Sequence, residues 1–199
     1  MNKTSPIAVV ALLLATSWGC GPDAPEPRAD AAAAESPVPA EPAVEASALT
    51  DPQIAHVAVT ANTIDVETAQ LAESRTTTSE VLNFAQTMVT DHTAVNEQAS
   101  ALVQRLGVTP EENAVSRSLQ TDAAAARREL EGLSGEAFDR AYVEREVAYH
   151  QAVLDALDQT LIPGASNEEL RGLLQQVRPA IATHLEHARS LQPSLGAGR

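Results

Sequence analysis

The chain has 199 residues, of which 44% are hydrophobic and only 3% aromatic, and alanine is abundant. This composition allows one domain with a hydrophobic core, and it favours closely packed helices over a β-sandwich, which would need more Val, Ile, Tyr and Phe. The formal net charge of −14 repels phosphate backbones and argues against nucleic-acid binding.

Residues 1–20 predict a secretory signal peptide. After a basic start and an apolar run at 7–15, mostly small residues lead to Cys20, the only cysteine in the chain. This segment resembles a bacterial lipoprotein signal, although Ser17 stands where an aliphatic residue is usual. Because Gly21 rather than Asp follows the cysteine, we expect a protein anchored on the periplasmic side of the outer membrane by a lipid on Cys20. The alternative is a cleaved, soluble periplasmic protein.

Residues 21–49 predict a disordered tether between the signal and the folded domain. The stretch 21–48 is rich in Pro, Ala and Glu, and it carries six acidic residues against one arginine. A segment of this composition cannot bury enough apolar surface to fold. We therefore expect the folded domain at residues 50–192 and a frayed tail at 193–199.

Capping patterns divide the expected domain into four long helices and a shorter one. Each helix follows a Ser or Thr that suits an N-cap, and glycines end the second and third. Four long helices with shorter connections predict an all-α, antiparallel four-helix bundle, with the short helix as an additional connection. The expected helices are 51–75 after Thr50, 78–106 after Thr77, 110–131 after Thr109, 135–161 after Ser134 and 167–191 after Ser166.

Three histidines lie in the apolar stripes of three different predicted helices. His92, His150 and His184 each recur at helical spacing with aliphatic neighbours. One such histidine is usually satisfied by a neighbour in the core. Three together are a stronger signal, because each unpaired imidazole would carry a desolvation cost and clustering lets one metal ion or one hydrogen-bond network satisfy all of them.

Carboxylates near these histidines complete a predicted metal site. Imidazole and carboxylate groups from facing helices suit iron, zinc or copper. Solvated helix faces are the alternative interpretation for the acidic residues. The predicted ligands are His92, His150, His184, Asp65 and Glu146. The predicted supporting residues are Asp91 beside His92, Met88 one turn before it, Glu67, and Pro179, whose kink would re-aim His184.

The Glu-x-x-His motif of carboxylate–histidine di-iron bundles is absent around these histidines. Val89 precedes His92 by three residues, and Val147 precedes His150 by three. The sequence therefore favours a site for one ion over a di-iron centre. No catalytic residue is predicted.

Several of these features are shared with one known family: Met-x-x-Asp-His at 88–92, Phe-Asp-Arg-Ala-Tyr at 138–142, the following His150, and Pro179 with His184. Over residues 51–191 the chain resembles the bacterial domain of unknown function 4142 family, which is placed with the ferritin-like helical bundles. The resemblance implies a ferritin-like fold and export to the cell envelope. It also implies that Asp65 stands where the family commonly has glutamate. It implies no activity, because none is established for the family.

Three functions follow from these patterns as alternatives. The first is a cell-envelope protein that binds one transition-metal ion, for storage, sensing or stress defence. The second is a structural or interaction module whose histidines form a metal-free network. The third and weakest is a ferritin-like oxidase, which rests on fold analogy alone. The sequence indicates no partner other than the membrane that a lipid on Cys20 would enter.

Overall fold

A computed structural model of the protein describes residues 48–196, and the chain is helical there with no strand. The helices are α1 (Asp51–Arg75), α2 (Ser79–Leu106), α3 (Ala114–Glu131), α4 (Gly135–Ala156), α5 (Ile162–Gly164) and α6 (Glu168–Gly196). A π-helical turn, Leu157–Leu161, joins α4 to α5. The predicted all-α bundle is confirmed. The predicted signal peptide, with Cys20, and nearly all of the predicted tether lie outside the described residues.

The long helices α1, α2, α4 and α6 form an antiparallel ring. At one end, the carboxylate of Asp51 in α1 accepts hydrogen bonds from the backbone N–H groups of Ser166 and Asn167, just before α6. At the other end, Thr78 before α2 donates its hydroxyl to Asp139 of α4 at 2.5 Å. Helices α1 and α6 therefore run one way, and α2 and α4 run the other. Each packs against two antiparallel neighbours.

Helix α3 is the crossover that carries the chain back to the start of α4. At one end the side chain of Asn113 donates to the Gln53 carbonyl at 3.2 Å, and at the other Arg75 donates to the Glu131 carbonyl at 2.8 Å. Ser116 and Leu130 are the buried residues of α3. The crossover therefore covers α1, and Leu130 is its contribution to the hydrophobic core. Within residues 48–196, no helix is both long and apolar enough to cross a bilayer.

The sequence predicts Thr109 as the N-cap of α3, and this prediction is wrong because the N-cap is Asn113. The helix begins at Ala114, and the side chain of Asn113 accepts hydrogen bonds from the backbone N–H groups of Val115 and Ser116. An asparagine amide oxygen that reaches two orphan N–H groups caps at least as well as a threonine hydroxyl, so the turn before it stays non-helical.

Two other predicted caps are displaced by one residue. Thr78 rather than Thr77 precedes α2, and its hydroxyl bonds Asp139 instead of the helix. Asn167 rather than Ser166 caps α6, since its side chain accepts from two backbone N–H groups of the first turn. Helix α6 also continues to Gly196. Residues 193–196 of the expected frayed tail are therefore helical, and 197–199 lie outside the described residues.

The hydrophobic core consists of two clusters, one toward each end of the bundle. One contains Phe84, Met88 and Tyr142, and the other contains Leu102 and Leu157. On α1, α2, α4 and α6 the apolar stripe passes from one cluster to the other, and on each helix a polar residue lies at the transition. The fold therefore places a polar layer in the middle of the core.

Replacing Phe84 with alanine is expected to lower the free energy of unfolding by about 3–5 kcal/mol, because the ring is 0% exposed and packs 6.1 Å from the Tyr142 ring. A thermal melt followed by circular dichroism should show a midpoint roughly 10 °C lower. Val115→Ala is the control, since Val115 is 44% exposed and should change the midpoint little. Equal midpoints for the two variants would contradict the described core.

Candidate metal centre

The polar layer between the two clusters contains all five residues that the sequence predicts as ligands. Helix α1 provides an aspartate, α2 and α6 one histidine each, and α4 a glutamate and a histidine. Each is at most 4% exposed: Asp65, His92, Glu146, His150 and His184. The solvated-face interpretation of the two carboxylates is therefore wrong.

The three histidine rings form a triangle across the bundle. Ring centroids lie 5.2 Å apart for His92 and His184, 5.5 Å for His150 and His184, and 5.6 Å for His92 and His150. One nitrogen from each ring lies within 4.8 Å of the other two. Three helices that are distant in sequence therefore present three imidazoles to one point.

The outer nitrogen of His92 is held by Asn62 of α1. The amide nitrogen of Asn62 donates to the Ala58 carbonyl at 2.8 Å, which turns its oxygen toward the histidine. That oxygen lies 2.7 Å from His92 Nδ1. An amide oxygen only accepts, so Nδ1 carries the proton and Nε2 holds a lone pair.

The other two histidines are fixed in the same way. His150 Nδ1 donates to the backbone carbonyl of Glu146 at 3.0 Å, and His184 Nε2 donates to Asp91 Oδ2 at 2.9 Å. In each neutral ring the second nitrogen then holds a lone pair. Those nitrogens are His92 Nε2, His150 Nε2 and His184 Nδ1, and all three are buried without a hydrogen-bond partner within residues 48–196.

Asp65 lies against two of these unpaired nitrogens. Its Oδ2 is 3.5 Å from His92 Nε2 and 3.5 Å from His150 Nε2. Both of its carboxylate oxygens are buried with no hydrogen-bond partner in the described part of the chain. A buried carboxylate without a donor is costly as an anion, so this position calls for a proton or a cation.

Burial shifts the titration of these groups in opposite directions. It raises the pKa of Asp65 from 3.8 to about 7, and the positive charge of Arg145 acts in the opposite direction. It lowers the pKa of His92 to about 3 and that of His150 to about 4, helped by the neighbouring imidazoles. These two histidines are therefore neutral at physiological pH, which is the form that binds metal ions.

Glu146, also predicted as a ligand, lies beside His150 and not within the group of three histidines. Its Oε2 lies 3.4 Å from His150 Nδ1, the nitrogen that faces away from Asp65 Oδ2. Burial raises its pKa well above the ordinary value, and Asp65 adds to the effect. Glu146, Asp65 and His150 form a second group of atoms within 4.8 Å of one another. Glu146 Oε2 is itself buried without a hydrogen-bond partner within residues 48–196, so this second group is a separate candidate for holding an ion.

The predicted supporting residues are distributed over several places. Asp91 contacts His184 and not His92 as expected, and its side chain is 47% exposed. Glu67 is exposed and lies outside the layer. Met88 is fully buried in the cluster with Phe84. Pro179 is exposed within α6, which continues past it without interruption.

Asn62 is a site residue that the sequence interpretation did not select. It lies in the same helical stripe as Asp65, three residues earlier, and that spacing was the available signal. Tyr149 is a second neighbour of the layer. Its hydroxyl donates to the Ala61 carbonyl at 2.9 Å, and its ring lies 6.2 Å from the His150 ring.

Comparison with known proteins gives one match. A family model described as a domain of unknown function (DUF4142) matches residues 34–191. That span contains every residue of the candidate metal centre. No curated protein and no solved structure matches the chain.

Proposed function

The chain belongs to the family of the domain of unknown function DUF4142, and we propose that its helical domain binds one transition-metal ion. The proposed ligands are His92, His150, His184 and Asp65. The observation that carries the proposal is the convergence of three imidazole lone pairs whose opposite nitrogens are each held by an oxygen. Metal-binding histidines almost always donate their second N–H to such an oxygen.

The spacing of the ligand atoms supports an ion of tetrahedral preference. Ligands about 2.1 Å from a tetrahedral ion lie about 3.4 Å from one another. Asp65 Oδ2 lies 3.5 Å from both His92 Nε2 and His150 Nε2. An ion would also neutralise Asp65 where the protein offers it no hydrogen-bond donor. Zinc fits this donor set and spacing best, and iron and copper share the preference for imidazole.

Four side-chain ligands favour storage, sensing or structural support over catalysis. A tetrahedral ion with four protein ligands has no open position for a substrate, which is the arrangement of structural rather than catalytic zinc sites. The oxidase alternative gains no support from these residues, since the Glu-x-x-His motif is absent at the three histidines.

A metal-free network is the second candidate, and one observation favours it. With its pKa raised to about 7, Asp65 holds a proton over much of the neutral range and can donate one hydrogen bond. A single proton satisfies only one of the three inner nitrogens, and the other two remain buried without a donor. An ion satisfies all three, which is why metal binding is preferred.

Zinc titration at several pH values separates the two candidates. We expect one zinc ion per chain in chelator-treated protein, with an affinity that falls up to about tenfold for each pH unit below about 7, because the ion must displace the proton of Asp65. The affinity should level off above that pH. His92 and His150, with pKa values near 3 and 4, compete only in strong acid. Calorimetry measures affinity and proton release together, and absence of saturable binding would leave the metal-free network.

We also propose that the protein is exported and anchored to the cell envelope through Cys20. The support is the signal-like segment 1–20, in which an apolar run at 7–15 is followed within five residues by the single cysteine. Mass spectrometry of the mature protein should find Cys20 as the N-terminal residue, with a mass increase from lipid. A Cys20→Ser variant should lack that increase. An unlipidated mature N-terminus would contradict the anchor and leave export alone.

A further inference from the structure

A cavity of about 50 Å³ lies inside the bundle next to the metal centre. Fifteen of its twenty lining residues are apolar; the polar ones are Asn62, Asp65, His92, Tyr149 and His150. Asp65, His92 and His150 belong to the polar layer, and Asn62 and Tyr149 lie beside it. The cavity therefore extends from the metal centre into the apolar half of the core that contains Leu102 and Leu157.

The sequence creates this space in two ways. Helices α1 and α2 present small side chains to it, including Ala55, Ala58, Ala61 and Ala99, where larger aliphatic residues would fill the core. On the opposite wall, Leu157 and Leu161 come from the two ends of the π-helical turn. Such turns alter the direction of side chains and occur often at functional sites.

The lining predicts what the cavity can hold. One water needs roughly 10–15 Å³ and two to four polar partners, so the volume matches about three or four atoms of that size. Away from the polar layer the walls offer only aliphatic side chains, such as Val153, Leu174 and Ile181. Apolar cavities of this kind stay dry and accept small apolar molecules.

We propose that this cavity is a binding site for a small apolar molecule of about three or four heavy atoms. The bound molecule lies against the side of the polar layer formed by Asp65, His92 and His150. Binding depends on the shape and apolar lining of the cavity and not on a metal ion, so this proposal and the metal proposal fail separately.

Xenon is the probe for the test, because it is apolar, of suitable size and chemically inert. Methyl NMR spectra of the mature, chelator-treated protein are recorded under increasing xenon pressure. We expect saturable shifts for the methyl groups of Val153, Leu174 and Ile181, and none for Val81 in the distant cluster. Absence of saturable shifts at these lining methyl groups would overturn the proposal.

Filling the cavity provides the matched comparison. Ala99→Leu adds three carbons to the lining, and we expect it to weaken xenon binding at least tenfold. Ala58→Val is the smaller change to be used if the leucine variant does not fold. Ala125→Leu adds the same atoms at an exposed position of α3 and should bind xenon like the wild type. Equal xenon binding in filled and wild-type protein would contradict the assignment. Zinc affinity measured on the same samples reports the metal proposal independently.

Discussion

Replacing His92, His150 or His184 singly with alanine is expected to reduce bound zinc from about one ion per chain to nearly none. Each substitution removes one of three imidazoles that each have a nitrogen within 4.8 Å of a nitrogen of the other two. Loss of a residue that merely orients a ligand costs 10–100-fold in metal affinity, so loss of a ligand should cost roughly a hundredfold or more. The three variants should lose zinc to a similar extent, as measured by elemental analysis after dialysis.

The double variant His92→Ala, His184→Ala provides a sharper test of shared binding. Groups that act as one unit are not additive, so it should lose little beyond either single variant. His187→Ala is the matched control, because His187 lies one turn from His184 on α6 but is exposed and contacts Phe84 instead of the layer. Zinc retained by the three single variants, or lost equally from the control, would show that the histidines do not share an ion.

Asp65→Asn is expected to weaken zinc binding by about a hundredfold and to remove the change in affinity near pH 7. Asparagine keeps the size of the side chain but offers a neutral oxygen, which is a poorer ligand for the ion. The titrating group of the wild-type site is also lost, since it is the pKa of Asp65 that burial raises to about 7. Zinc calorimetry at pH 6 and pH 8 measures both effects.

The same substitution should also change the stability of the metal-free protein, and the size of this change should depend on pH. The folded pKa of Asp65 is raised above its ordinary 3.8, so its contribution is fully present below about 3.8 and is lost as pH rises through about 7. Metal-free Asp65→Asn should therefore be more stable than wild type at pH 8. Its advantage in stability over wild type should be smaller at pH 5. Glu67→Gln, an exposed acid on the same helix, is the control. Unchanged zinc affinity and pH dependence in Asp65→Asn would exclude Asp65 as a ligand.

The helices could be predicted from the sequence because their apolar stripes and most of their ends are local features. Arg75, Leu106 and Glu131 end helices as expected. The caps were less predictable, because several polar residues precede each helix and the choice depends on distant contacts. Thr78, for example, bonds Asp139, a residue 61 positions later in the chain.

The three histidines were predictable because each lies in an apolar stripe, and a stripe identifies the buried face whatever the partner helix. Glu67 was wrongly included because it is near Asp65 in sequence. Two residues along a helix turn a side chain by about 200°, so it lies on the opposite face. The partner of Asp91 could not be predicted, since its contact with His184 depends on how α2 and α6 pack.

The titration behaviour of the site also depends on the tertiary structure. Free histidine titrates near pH 6.5, so the sequence alone suggests that protonated imidazoles compete with the ion. Burial lowers the pKa of His92 to about 3 and raises that of Asp65 to about 7, so the carboxylate becomes the competing group. Local spacing carries no information about this exchange of roles.

Anomalous diffraction from crystals of the zinc-loaded protein tests metal binding most directly. Data collected on both sides of the zinc absorption edge locate the ion without assumptions about its ligands. We expect one peak per chain, near full occupancy, within about 2.2 Å of a nitrogen from each of His92, His150 and His184 and an oxygen of Asp65. Zinc peaks only at surface carboxylates, with none between the three imidazoles, would contradict the proposed metal centre.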